Sequence, residues 1–190
     1  MNRSWYPLIG FTACTWVATV HADDMIEAKV EPELRLAFAE AIESAASFSD
    51  RAAATTWLAD MSARLATRVP DPFYRIELLK LIHEQASQAR LKPELVLAVI
   101  QVESKFDRFA VSRSGALGLM QIKPFWIKEI GHPRDNLFYP QTNLRYGCTI
   151  LRHYLDRASG DLTQALADYN GYGNPNYADM VYSALEKHWF

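Results

Sequence analysis

"LKPELVLAVIQVESKFDRFAVSRSGALGLMQIKP", residues 91–124, decides how the rest of the chain is read. Lys92-Pro93 opens a helix, because proline suits the first helical turn, where its missing N–H is not needed. Leu95, Val96, Leu97, Val99, Ile100 and Val102 follow. A helix that is apolar nearly all round belongs in the middle of a core. Leu95, Val99 and Glu103 are four apart and share one side of it. The run therefore ends by placing a carboxylate where apolar side chains point. After Phe106 the pattern breaks into a loop, Asp107 to Ser114, and Gly115, Gly118 and Gln121 come next.

Glu103 carries two readings. Burial disfavours its charged form and raises its pKa. The partial negative charge at a helix C-terminus pushes the same way. A glutamate protonated near neutral pH suits general-acid chemistry. The plainer reading is a glutamate that reaches solvent as its helix ends. Gly115 and Gly118 let backbone approach a ligand or another segment closely, and Gln121 offers both a donor and an acceptor. Taken singly, these residues are equally a helix-start turn with glycine spacers.

Around this segment the spacing is helical throughout, with no sustained period-two alternation. Leu34, Phe38, Ala41, Ile42, Ala45 and Phe48 make one stripe, and Trp57, Leu58, Met61 and Leu65 a second. Asp71-Pro72 is a cap and a first-turn proline ahead of Leu78, Leu79, Ile82 and Ala86. Further helices are expected over Leu119–Ile130, ended by Gly131, then Pro140–Arg157, Leu162–Tyr169 and Tyr177–Lys187. "NGYGNPN", residues 170–176, turns between the last two. The expectation is an all-α domain over 70–190, with a helical hairpin extension over 23–69.

The chain has 190 residues, 49% of them hydrophobic, and a formal net charge of −2. That suits one globular domain and argues against nucleic-acid binding, which calls for a basic face. Arg3, the apolar run from Trp5 to Val20 and the small residues around Val20-His21-Ala22 read as a signal peptide over 1–22, hence export. Cys14 after small residues offers a lipid-anchoring alternative, but lacks leucine three positions before it. Cleavage after Ala22 would leave Cys148 alone, buried and without a disulfide. His83, His132, His153 and His188 are scattered, so neither metal nor cofactor is expected.

Glu103-Ser104, then Gly115-Ala116-Leu117-Gly118-Leu119-Met120-Gln121-Ile122, then Tyr169-Asn170-Gly171 occur in an order and spacing that resembles the catalytic domain of the soluble lytic transglycosylases. The match runs from about Phe73 to Leu185 and takes in the Asn143…Gly147 helix. Glycine directly after Asn170 departs from the Ala-Tyr-Asn-Ala-Gly of many members. The resemblance implies a goose-type lysozyme-like fold. It implies cleavage of the β-1,4 bond between N-acetylmuramic acid and N-acetylglucosamine in peptidoglycan, leaving 1,6-anhydromuramic ends. It implies Glu103 as the catalytic acid, Ser104, Met120 and Gln121 along the groove, Tyr169 hydrogen-bonded near Glu103, and Asn170 on the sugar or fixing its turn. Tyr146 and Tyr172 read as sugar platforms or as plain packing.

The expected partner is the glycan strand in the periplasm, with cell-wall, secretion or pilus machinery as further candidates and a monomeric chain. Two alternatives stand beside this reading. A hydrolase of the same fold would need a second carboxylate, such as Asp107 or Asp168. A non-catalytic peptidoglycan-binding scaffold would not need Glu103.

Overall fold

Pro93–Glu103 is the helix around which the others assemble. A computed structural model describes residues 47, 50–171 and 173–190. In chain order the helices are α1 (Arg51–Leu65), α2 (Pro72–Gln88), α3 (Pro93–Glu103), α4 (Phe125–Ile130), α5 (Pro140–Arg157), α6 (Leu162–Asn170) and α7 (Tyr177–Ala184), followed by a π-helical turn, Leu185–Trp189. Among the described residues there is no strand, only two isolated bridges, Val111 to Leu117 and Leu117 to Ile122. The all-α expectation agrees with this. The expected signal peptide, Cys14, the 34–48 stripe and Tyr172 lie outside the described residues.

The helix starts follow local chemistry. Asp71 accepts from the N–H groups of Phe73 and Tyr74 at 3.0 and 3.2 Å, with Pro72 in the first turn. Asp50 caps α1 in the same way. The apolar residues of α1, Leu58, Met61 and Leu65, belong to the same core as those of α2 and α3.

α3 packs against α2, α7 and the terminal π turn. Val96, Leu97, Val99 and Ile100 are fully buried. Each contributes about 1.5–3 kcal/mol by leaving water. α3 stops sharply, because Lys105 and Phe106 both take positive φ, 54° and 70°. That backbone is costly for residues with a Cβ, about 1–2 kcal/mol each. Burial of the Phe106 ring against Trp189 offsets it, with centroids 5.7 Å apart. Trp189 in turn donates Nε1–H to Gln101 Oε1 at 3.1 Å.

One element differs from expectation. Residues 119–124 form a turn, and α4 begins only at Phe125. Gly118 and Gln121 both have positive φ, 74° and 50°, which no α-helix accommodates. The Ala116 carbonyl accepts from Ser112 N–H at 2.9 Å, and Met120 N–H donates to Asn143 Oδ1 at 2.8 Å. The turn thus spends its backbone groups on partners outside a helical ladder, and it drives Leu119 and Met120 fully into the core.

Asn143 of α5 is the clamp of this turn. Its amide also donates to the carbonyls of Leu117 and Leu137, at 2.9 and 2.8 Å. The closeness explains Gly118, where a Cβ would stand 2.4 Å from Asn143 Nδ2 and 2.6 Å from the Leu137 carbonyl oxygen. One turn along α5, Gly147 leaves room for Met120, whose sulfur would lie 2.2 Å from an added Cβ. Gly118 therefore serves packing of one segment on another. Replacing Asn143 with alanine leaves buried donors and acceptors without partners. Asn143→Ala is expected to lose about 3 kcal/mol, measured as a lower urea midpoint; an unchanged midpoint would refute the clamp.

Candidate active site

A groove of about 650 Å³ runs beside the C-terminal end of α3. Glu103 lies in its wall. The 112–123 segment supplies Ser112, Ser114, Gln121 and Lys123, and α4 adds Phe125 and Trp126. The far side comes from α5 through Ile150 and Tyr154, and from the end of α6 through Asp168, Tyr169 and Asn170.

Glu103 is half-buried and its Oε1 accepts from the Tyr177 hydroxyl at 2.7 Å. Burial pushes its carboxyl up to about 7, and the Tyr177 hydrogen bond opposes that more weakly. Near neutral pH the group is therefore close to half protonated, the condition in which it can both give and take a proton. Tyr177 is itself buried, at the first residue of α7, where that helix packs on α3. Burial, and then the nearby Glu103 charge, hold its phenol well above the usual tyrosine range. It stays a neutral donor.

Tyr169 sits close enough to feel the Glu103 charge, and burial raises its pKa well above normal. Its hydroxyl, however, donates to the Met120 carbonyl at 2.9 Å. The tyrosine that hydrogen-bonds the acid is Tyr177, while Tyr169 ties α6 to the 118–121 turn. Gln121 lines the groove, with its amide nitrogen spent on the carbonyls of Ala110 and Gly118 at 3.2 and 2.9 Å. Its oxygen is the group left to offer a ligand.

Two residues expected along the groove are elsewhere. Met120 is fully buried against Gly147. Ser104 spends its hydroxyl on the carbonyls of Leu119 and Ile100, at 2.8 and 3.2 Å. Both shape the wall from behind. Asn170 lines the groove, and its side-chain oxygen, assigned from its partners, accepts from the amides of Gly173 and Asn174 at 3.2 and 2.7 Å. It fixes the turn after α6. Tyr146 is buried and donates to Asp135 at 2.7 Å, so it is packing. Asp107 caps its own turn through Phe109 N–H at 2.8 Å and does not border the groove, whereas Asp168 does.

Sequence reasoning missed Tyr177, Lys123, Phe125 and Trp126. The one signal for Tyr177 was a tyrosine in the first turn after "NGYGNPN", the turn that brings the chain back towards the acid. Among the described residues no group of His, Cys, Asp and Glu could hold a metal ion, and no helix is long and apolar enough to cross a membrane.

Residues 80–186 match the family described as "Transglycosylase SLT domain". A transglycosylase of Enterobacteria phage PRD1 is 40% identical over 86 residues, which is 45% of this chain and 31% of that protein. The membrane-bound lytic murein transglycosylase C of Yersinia pestis (strain Pestoides F) is 34% identical over 109 residues, 49% of this chain and 30% of the relative. The chain thus spans under a third of the length of these relatives. The solved 70 kDa soluble lytic transglycosylase of Escherichia coli aligns with 82% of this chain and 24% of its own, at 20% identity and a TM-score of 0.43.

The displaced acidity of Glu103 also bears on stability. Its carboxyl goes from about 4.5 unfolded to about 7 folded. Below the lower value both states hold the proton and the group contributes nothing. Between the two, the unfolded chain ionises while the folded chain does not, so stability falls as pH rises and levels off above about 7. Glu103→Gln removes the penalty. We expect it to be more stable than the parent by about 2 kcal/mol at pH 8, with the gap closing at pH 4, after discounting for partial solvent access. Denaturant midpoints across pH test this; a gap independent of pH would overturn it.

Proposed function

The chain belongs to the transglycosylase SLT domain family, and from that premise we propose that it is an exported peptidoglycan lytic transglycosylase with Glu103 as its single acid and base. The observation that carries the proposal is one carboxyl, raised to about 7 by burial, in the wall of an open groove of about 650 Å³.

The chemistry follows from that group. Protonated Glu103 gives its proton to the glycosidic oxygen as the bond to the muramic-acid anomeric carbon breaks. The substrate's own N-acetyl group stabilises the positive charge that develops, the route by which a glycosidase works without a carboxylate nucleophile. Glu103, now ionised, takes the proton of the same sugar's 6-hydroxyl as that oxygen closes on the anomeric carbon. One bond breaks, one forms, and the acid is regenerated without water. Tyr177 holds the carboxyl in place throughout by its 2.7 Å hydrogen bond. Gln121 and Asn170 line the surface the sugars would meet. Export rests on the sequence of residues 1–22.

Hydrolysis is the second reading, and Asp168 favours it, because it borders the same groove as Glu103. A water held there would leave reducing ends. Mass spectrometry of digested sacculi separates the two: we expect anhydro ends, each lighter by one water, and reducing ends would replace the lytic reading with the hydrolytic one. Glu103→Gln is expected to lower turnover by at least ~10²-fold, as loss of a general acid does. Parent activity should decline as pH rises through about 7, where the donor ionises. Full activity of the Glu103→Gln chain would remove the named acid from the mechanism.

A further inference from the structure

α4 is rich in apolar side chains and buries none of them. Phe125, Trp126, Ile127 and Ile130 are four of its six residues, yet no residue of the helix is buried. Trp126 and Ile127 lean on the core from its edge. Phe125 stays 51% exposed. A lone exposed phenylalanine on a protein surface asks for no explanation. This one borders the groove that holds Glu103.

The Phe125 ring is held in place. It stacks on Trp126, with centroids 4.9 Å apart and planes 30° apart. The indole thus covers one side of the ring and is itself backed by the core. The ring's remaining surface lines the groove. The backbone beneath is fixed as well. Pro124 precedes Phe125 with φ −59°, and the N–H groups of Trp126 and Ile127 donate to the carbonyls of Lys123 and Pro124, both at 3.1 Å. A side chain with two torsions, already ordered, loses little freedom when a ligand lies on it.

The neighbours select the ligand. Gln121 and Lys123, from the segment that leads into α4, line the same groove. A purely apolar ligand would take water from both polar groups and give nothing back. A flat ring among polar side chains suits a molecule that is apolar on its face and polar at its rim. Pyranose sugars are built in that way, with C–H groups on the face and hydroxyl or acetamido groups around the edge.

We propose that Phe125, backed by Trp126, is the stacking platform for one N-acetylated sugar ring of the bound glycan strand. The inference rests on the peptidoglycan reading of the groove and gives that strand a point of attachment separate from the acid. Phenylalanine has no polar side-chain atom and moves no proton. It therefore grips the strand about equally before and during bond breaking, and its contribution falls in KM and not in kcat.

Kinetics on soluble, uncrosslinked glycan strands test this. Phe125→Ala is expected to raise KM about tenfold, the part of a phenylalanine's burial that one ring face supplies, with kcat within about threefold of the parent. Phe125→Tyr keeps the flat face and should restore the parent KM. Phe125→Leu keeps apolar bulk without the face and should not. Phe109→Ala removes another exposed ring, one that does not border the groove, and should leave KM alone. The same order is expected for chitohexaose binding to the Glu103→Gln chain, read by calorimetry. Chitohexaose holds no muramic acid, so this arm is indifferent to whether cleavage is lytic or hydrolytic. Reducing ends with the Phe125 pattern intact would replace the lytic reading and keep the platform; anhydro ends with a parent-like KM in Phe125→Ala would do the reverse. Full rescue by leucine, a loss in kcat alone, or hexaose binding that is absent or ignores Phe125 overturns the platform.

Discussion

A carboxyl group cannot enter an oily setting and keep its charge unless something replaces its water. At the end of α3 the replacement is partial. One phenol, Tyr177, reaches one oxygen, and the rest of the group faces apolar surroundings and the groove. The compromise leaves the acid poised near neutrality, neither a buried neutral nor a solvated ion. The rest of the domain can be understood as what holds that compromise in place. α3 must be buried so that its last residue starts from an apolar wall. The abrupt stop at Lys105 and Phe106 leaves Glu103 as the last residue of the helix. α7 must dock on α3 so that Tyr177 arrives at the right height.

The opposite wall depends on a different economy. The 117–122 turn has little regular structure, and an irregular backbone tolerates burial only when its donors and acceptors are met. Asn143 meets two of them from a neighbouring helix, while also holding the Leu137 carbonyl, and Tyr169 meets the Met120 carbonyl from another. The groove is thus framed in part by side chains placed behind its wall. Met120 and Ser104 sit beside motif residues because the motif includes its own scaffolding, while Tyr169 both borders the groove and holds the turn. Conversely, Phe125 and Trp126 form groove surface through simple adjacency to a turn whose shape is set elsewhere.

Much of this was legible beforehand. The period of the apolar residues gave α1, α2, α3 and α5, and Asp71-Pro72 gave a true helix start. The four-residue step from Leu95 to Val99 to Glu103 located the acid, because helix geometry is local. What was not legible was non-local. A helix through 119–124 looked natural, since Leu119, Met120 and Ile122 are good helix residues. Only a partner 23 positions on, Asn143, makes the turn the better solution. A left-handed glutamine has no sequence mark comparable to that of a glycine. Likewise nothing within one helix reveals that residue 177, 74 positions away, supplies the acid's hydrogen bond.

Those separations bear on when Glu103 acquires its raised acidity. The indole that bonds Gln101, just ahead of the acid, lies 88 positions further along the chain. A growing polypeptide emerges from its N-terminus, so residue 103 is made long before either aromatic cover exists. Until they arrive the carboxylate stands in water with ordinary acidity, a poor proton donor at neutral pH. The raised acidity is therefore conferred by folding and not by the glutamate alone, and a locally unravelled copy carries the same residue without it.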